Sequence, residues 1–452
     1  MKLTFLGGVG TVTGSKYLLE TETHKILIDC GLFQGYKQLR LRNWAPFPVV
    51  PATIDAVVLT HAHIDHSGYL PLLVRNGFKG PVYCTNATRD LCNILLPDSG
   101  FLQEKDADNA NRKGYSKHRP AKALYTKKDA ENALKQLKPK DFNTDLTLAD
   151  DLTIRFLPAG HILGAAMVEI TAGSKKIVFS GDLGRRNDPI MVDPVAIAKT
   201  DYLVVESTYG DRLHGADDAQ ERIAAAVIST ASRGGTLLIP SFAVGRAQLI
   251  LYHLNILKEQ NRIPDLPVFL DSPMAINASE MFCRHARYQR LNTEQCRDTC
   301  AVARYTRSVE DSKALAGILV PKIIISASGM ATGGRILHHL KQYAPDHRNT
   351  ILFAGYQAGG TRGSTIVAGA KSVKIHGRHI EIKAHVEHLD MLSAHADQNG
   401  IMQWLKKFES PPKKTFITHG EAASSDALRI RIQEELKWDC QIPDYREDIM
   451  LN

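Results

Sequence analysis

The spacing of apolar and polar positions changes character twice along the chain. Between residues 3 and 30, short alternating apolar runs broken by glycine and polar turns predict three strands. A β-branched run at 56–60 predicts a buried strand, and 67–74 reads as the start of a helix. Residues 88–109 carry a helical pattern, while 152–157, 176–180 and 201–205 read as strands. From about 211 the grammar becomes helix 217–232, strand 236–240 and helix 245–259. Strands at 267–270 and 322–326 follow, with helices between them. Strands alternating with long helices predict a parallel, doubly wound sheet. Near 392 the first pattern returns, with a strand at 414–418. The expectation is an α/β chain with a first domain at 1–208 and 392–452, interrupted by an inserted doubly wound α/β domain at 209–391. No repeat of fixed period occurs.

Composition narrows this picture only a little. At 452 residues the chain exceeds one ordinary core and suits two or three domains. Hydrophobic residues at 44% and charged residues at 23% suit a soluble globular protein. No apolar run reaches the length of a membrane span, and Met1 to Gly8 reads as a first strand rather than a signal peptide. The net charge of +8 is mild support for a polyanionic partner. The seven cysteines contain no Cys-x-x-Cys pair, so neither a disulfide framework nor a zinc ribbon is expected. Cys283, Cys296 and Cys300 could bind a metal, but read better as separate buried or surface thiols. A reducing, cytoplasmic compartment is the expectation.

Chemistry concentrates at strand ends. His61-Ala62-His63-Ile64-Asp65-His66 follows the buried strand and precedes a helix, the position where α/β folds place their sites. Neutral imidazoles and ionised carboxylates suit zinc. His-x-His can point two rings to one side, while Asp65 and His66 can face a second ion. Crowding these groups beside a buried strand without an ion is costly. The strand ends also carry Asp29, His161, Asp182, Glu206 and His419, and His395 lies just before a helix. Taken singly, each could be a turn former or a core residue; Asp29 stands at even odds on position alone.

His-x-His-x-Asp-His resembles the signature of the metallo-β-lactamase superfamily, and the insertion resembles its β-CASP RNA-processing nucleases. That group includes the nuclease of mRNA 3′-end cleavage. The resemblance covers nearly the whole chain, and it implies an αβ/βα sandwich with a metal site at one edge. It implies that His61, His63 and His161 hold one zinc ion, that Asp65, His66 and His419 hold a second, and that Asp182 bridges them. The two ions would activate a water for in-line attack on phosphorus. Asp29 would support a metal-binding histidine from behind, and Asp65, Glu206 and His395 would complete the catalytic set. Family members with histidine at the position of His419 cleave RNA, so RNA is the implied substrate.

Two stretches of the insert suit phosphate. Ser328-Gly329-Met330-Ala331-Thr332-Gly333-Gly334-Arg335 follows a strand and opens a helix, so Ser328, Gly329, Met330, Gly333, Gly334 and Arg335 are candidate contacts. Ser241, Phe242 and Arg246 lie in Pro240-Ser241-Phe242-Ala243-Val244-Gly245-Arg246, which matches the family's Phe-Ala-x-Gly-Arg segment. The chain departs from the usual family pattern at Gln248-Leu249 and at Gly359. A basic stretch from Arg112 to Lys128, with Tyr115 and His118 among the cations, is either a solvated loop or a rim for a phosphate backbone. The favoured reading is a zinc-dependent ribonuclease, endonucleolytic and with scope for 5′-exonucleolytic action. The alternatives are a small-molecule hydrolase of the same fold and a non-catalytic RNA-binding subunit. No appended RNA-binding module is expected, and a homodimer is an expectation by analogy alone.

Overall fold

The computed structural model describes residues 1–114, 116–215 and 217–452, so Tyr115 of the basic stretch lies outside the described residues. The chain forms two compact units: Met1–Leu213 with His395–Asn452, and His214–Ala394.

In the first unit, described strands build two sheets. One runs in the order Asp448–Met450, Lys2–Phe5, Tyr17–Glu20, Lys25–Ile28, Ala56–Val58, Val82–Thr85 and Leu137–Lys140. The other runs Cys440–Gln441, Lys414–Thr418, Tyr202–Glu206, Lys175–Phe179, Ala166–Ala172, Leu152–Pro158 and Asp145–Ala149. Leu152–Pro158 alternates buried and half-buried positions, as a strand with one face in the core must. The two inner faces share one core, in which Phe5, Ile28 and Val58 meet Phe156, Val168, Phe179 and Phe416. The Phe5 and Phe416 rings lie 5.3 Å apart across it. The helix Asn86–Lys113 packs on the first sheet and Ala422–Leu436 on the second, which completes an αβ/βα sandwich. Asn86–Lys113 outruns the 88–109 pattern because Thr85 caps it through the Thr88 amide and Gly114 ends it in the left-handed region.

The second unit is built on a six-stranded sheet in the order Arg304–Tyr305, Val268–Leu270, Lys322–Ser326, Thr236–Pro240, Thr350–Ala354 and His385–Leu389. Every neighbouring pair is parallel. The three strands Lys322–Ser326, Thr236–Pro240 and Thr350–Ala354 are buried along their whole length, which explains their unbroken apolar runs.

The cysteines depart from expectation. Cys283 and Cys296 form a disulfide, although the sequence carries no disulfide pattern. Their helices, Pro273–Arg284 and Thr293–Ala301, pack against each other, and that contact brings the two residues to 5.7 Å between Cα atoms. Among the described residues no helix is long and apolar enough to cross a membrane.

Candidate metal centre

Strand ends of the first unit supply the site. In the first sheet, parallel strands Lys25–Ile28 and Ala56–Val58 lead into Asp29 and into the His61–His66 loop. In the second, parallel strands Lys175–Phe179, Tyr202–Glu206 and Lys414–Thr418 deliver Asp182, Glu206 and His419. The loop after Leu152–Pro158 delivers His161. Two close approaches depend on glycine. A Cβ on Gly31 would stand 1.5 Å from the Asp65 carbonyl oxygen, and one on Gly184 would stand 2.1 Å from that of Gly160. Asp29 and His419 hold φ of 58° and 48°, a region that side-chain-bearing residues rarely adopt. Both sit where a strand turns sharply into the site.

His61 Nε2 and His161 Nε2 each lie 3.2 Å from His63 Nδ1. They lie 3.4 and 3.5 Å from Asp182 Oδ2. Four donors around zinc at about 2.0–2.1 Å form a tetrahedron whose edges are about 3.3–3.4 Å. The four groups therefore stand at the separations one ion would impose. A second set meets at Asp182 Oδ1. His66 Nε2 is 3.2 Å from that oxygen, 3.1 Å from His419 Nε2 and 3.9 Å from Asp65 Oδ2. His419 Nε2 is 3.5 Å from Asp65 Oδ2. His61, His66, His161, Asp182 and His419 are buried, and His63 and Asp65 half-buried.

Protonation fits the same reading. Burial pulls His61, His63 and His161 below the ordinary imidazole value, His63 to about 4. Burial alone would raise Asp182, but His419 and His66 outweigh it and hold the carboxyl well below the usual range. Asp65 is lowered too, its burial outweighed by His419 and His66. Neutral imidazoles and ionised carboxylates are the forms that bind a metal. His66 is the exception: burial works downward, yet Asp182 and Asp29 hold it well above its ordinary value. It must give up a proton to become a ligand. The residues present thus fit a metal pair in separation, burial and charge.

Supporting contacts fix the rings. His66 Nδ1 donates to Asp29 Oδ2 at 2.7 Å, which aims Nε2 at Asp182. Asp29 in turn accepts from the Thr60 amide at 2.8 Å and from its hydroxyl at 2.9 and 3.0 Å. Thr60 Oγ1 also lies 3.1 Å from His61 Nδ1, and Thr208 Oγ1 3.1 Å from His419 Nδ1. Neither threonine stands out in the sequence. A hydroxyl beside a ligand residue at a strand end is the only signal, and threonine is common there.

His395, the residue at which the chain returns to the first unit, joins this centre. Its backbone bridges to Gly184, and Asp397 caps the helix Gln398–Leu405 that follows. Its Nδ1 lies 3.1 and 3.2 Å from the two Glu206 carboxyl oxygens, and its Nε2 lies 3.9 Å from Asp182 Oδ2. Its ring centre stands 4.4 Å from that of His161. Glu206 is held by the Leu183 amide at 2.6 Å. Burial pulls His395 down, but Glu206 and Asp182 prevail and raise it above the ordinary value.

The insert's candidate phosphate loops leave the carboxyl ends of two adjacent parallel strands, with Pro240 opposite Ser326. A Cβ on Gly329 would stand 2.6 Å from the Phe242 ring, so the two loops touch. Ser241 is buried, and Ser328 Oγ turns inward to the Thr332 and Gly333 amides at 3.0 and 3.3 Å. Met330 accepts from the Gly363 amide at 3.0 Å, Gly333 has open space beside it, and Gly334 is left-handed. Arg246 opens the helix Arg246–Glu259 and is buried beside Gly355. Arg335 differs from expectation. Its guanidinium is bound within its own unit, to Asp271 at 2.6 Å and to the Thr306 and Arg307 carbonyls at 3.0 and 2.8 Å. Two strand ends and a buried carboxylate meet there, which local sequence does not reveal.

Three family models match the chain: the metallo-beta-lactamase superfamily over 9–233, the Beta-Casp domain over 247–366, and a Zn-dependent metallo-hydrolase RNA specificity domain over 379–443. Ribonuclease TTHA0252 of Thermus thermophilus is 37% identical over 435 residues, covering 95% of each chain. The chain belongs to the β-CASP RNA-processing nucleases of the metallo-β-lactamase superfamily. Within that family it is also similar to transcription termination factor FttA of Methanosarcina mazei, 32% identical across 97% of this chain and 69% of that one. FttA of Methanocaldococcus jannaschii is 30% identical across 93% and 67%. A crystal structure of a protein of unknown function from Enterococcus faecalis shares the fold at a TM-score of 0.55 and 13% identity, covering 100% of this chain and 99% of that one. As a β-CASP family member the chain is a metal-dependent hydrolase of the nuclease class. The RNA-specificity match falls on residues 379–443, which include His395 and His419.

Proposed function

We propose that this β-CASP family member is a zinc-dependent ribonuclease that hydrolyses RNA phosphodiester bonds, internally and with scope for action from a 5′ end, with two zinc ions per chain. The observation that carries this reading is the pair of donor sets sharing Asp182, with edges of 3.1 to 3.9 Å, beside the His395–Glu206 pair. His61, His63, His161 and Asp182 would hold one ion, and Asp65, His66 and His419, with Asp182, the other. When bound, the ions supply a nucleophilic water near neutral pH and offset charge on the phosphate oxygens. Asp29 and Thr60 keep His66 and His61 in their ligand orientation. Glu206 accepts a hydrogen bond from His395 Nδ1, which orients the ring and favours its charged form. Nε2 then delivers a proton to the departing ribose oxygen, whose alkoxide is a poor leaving group. RNA as substrate is supported by the ribonuclease relative and by the RNA-specificity match.

The test uses one RNA labelled at its 5′ end and, separately, at its 3′ end. Internal cleavage releases fragments longer than one nucleotide from both labels, and stoichiometric zinc restores it after chelation. Cleavage of small esters without cleavage of any RNA would overturn the reading. RNA binding with full metal content and no cleavage would favour a non-catalytic subunit instead.

A further inference from the structure

Three cysteines lie in the second unit, outside the metal centre. Cys283 occupies the last turn of the helix Pro273–Arg284, and Cys296 and Cys300 lie on the helix Thr293–Ala301. A spacing of four puts Cys296 and Cys300 on one helix face. Cys283 meets both: its Sγ is bonded to Cys296 and stands 3.6 Å from Cys300 Sγ. Cys296 is buried, while Cys283 and Cys300 are half-buried and within reach of solvent. The other four, Cys30, Cys84, Cys92 and Cys440, are buried single thiols. A bond between Cys296 and Cys300 is disfavoured, since helix neighbours four apart hold their Cβ atoms about 5–6 Å apart. A disulfide needs about 3.5–4.5 Å. Cys283 is therefore the sulfur that either partner must use.

We propose that Cys283, Cys296 and Cys300 form a thiol–disulfide exchange site in which Cys283 is the shared sulfur. The Cys300 thiolate attacks Cys283 Sγ, the Cys283–Cys296 bond breaks and a Cys283–Cys300 bond forms. Cys296 leaves as a thiolate and takes up the proton that Cys300 lost, so no electrons enter or leave. A small dithiol reductant uses the same sulfur. One of its thiolates attacks Cys283, its second thiol closes its own disulfide, and Cys283 and Cys296 are left as two thiols. Burial lifts the Cys300 thiol above its ordinary value, which keeps it protonated at rest. Exchange moves the link from a separation of 13 residues to one of 17, about one helical turn along the second helix. The segment it tethers carries Arg287 and Arg290.

Peptide mapping by mass spectrometry after alkylation of the full chain tests this. Protein prepared without reductant should show the Cys283–Cys296 link, with Cys300 alkylated. Cys296→Ser treated with oxidised glutathione should show a Cys283–Cys300 link in most molecules. Cys283→Ser should show neither link, and both remaining thiols should alkylate. Cys300→Ser keeps the native link and serves as the folding control. The proposal is overturned if Cys283 and Cys300 stay as separate thiols or separate glutathione adducts in Cys296→Ser. It is equally overturned if Cys283→Ser forms a Cys296–Cys300 link. Reduced parent protein that binds an extra metal ion, lost in Cys296→Ser, would assign the cluster to metal instead.

Discussion

Asp182 in the first unit and Asp271 in the second are both buried aspartates ringed by polar side chains, and they have opposite surroundings. Asp271 accepts from Thr306 and Arg335 on one oxygen and from Ser312 and His339 on the other, at 2.5 to 2.6 Å. Each oxygen is saturated at charge-assisted hydrogen-bond length. Around Asp182, nitrogens of His61, His66 and His161 stand 3.2 to 3.5 Å away. Those are the separations of ligands around a common ion rather than of donors on an acceptor. A buried carboxylate with its donors in place ties a fold together. One whose neighbours converge without closing leaves room for a cation.

The largest expected effect that could break this comparison is on the ligands. His63→Ala removes the nitrogen on which His61 and His161 both converge. Metal content should fall by at least one ion per chain and cleavage should be lost, while the thermal midpoint of the second unit holds. Elemental analysis beside an RNA cleavage assay checks both. Full metal with full activity would place the metal centre elsewhere.

Next comes His395, which stands near Asp182 but is bonded to Glu206. His395→Ala should keep its metal and still bind RNA, with cleavage slowed by roughly 10²–10⁴, the usual share of acid catalysis. Glu206→Gln should give a smaller loss of the same kind. An RNA whose leaving oxygen is replaced by sulfur needs little protonation and should largely rescue His395→Ala. Loss of metal in that variant would make His395 a ligand, and an unchanged rate would make it structural.

Asp271→Asn probes the other side of the comparison. Removing one partner of a buried charged network costs about 3–5 kcal/mol, so the second unit should melt earlier while metal content is unchanged. Burial would raise the Asp271 carboxyl, but His339, Ser312, Thr306 and Arg335 outweigh it and depress it far below the usual carboxylate range. A depressed pKa contributes stability that is complete above the unfolded value near pH 4 and is lost as pH falls below it. Acid unfolding of the parent should therefore show a slope below about pH 4 that Asp271→Asn lacks. The smallest effect belongs to Asp29→Asn, which keeps every ligand but loosens His66. Metal affinity should fall about 10–100-fold, measured by chelator competition.

Much of this was legible early because it is local. A histidine-rich loop after a buried strand announces candidate ligands, and the change from short alternating runs to long helices marks a second unit. Arg335 and the cysteines show the limit. Arg335 sits in a glycine-rich strand-to-helix loop that suits phosphate, yet Asp271, 64 residues earlier, holds its guanidinium. Cys283 and Cys296 lack any motif spacing, and two packed helices pair them.

The sequence by itself determined which residue types stand at the strand ends, and so the class of chemistry open to the chain. His61, His63, Asp65 and His66 lie within six positions, and the strands behind Asp182, Glu206 and His419 are apolar enough to be buried. Only the tertiary structure decided that these ends point at common centres. His66 and His419 are 353 residues apart along the chain, and His395 and Glu206 are 189 apart. Thr60 and Thr208 likewise gain their roles only when the strands align, since a hydroxyl's partner is set by its neighbours in space. Separations of 3.1 to 3.5 Å between candidate ligand atoms come from the packing of two sheets, and no local pattern encodes them.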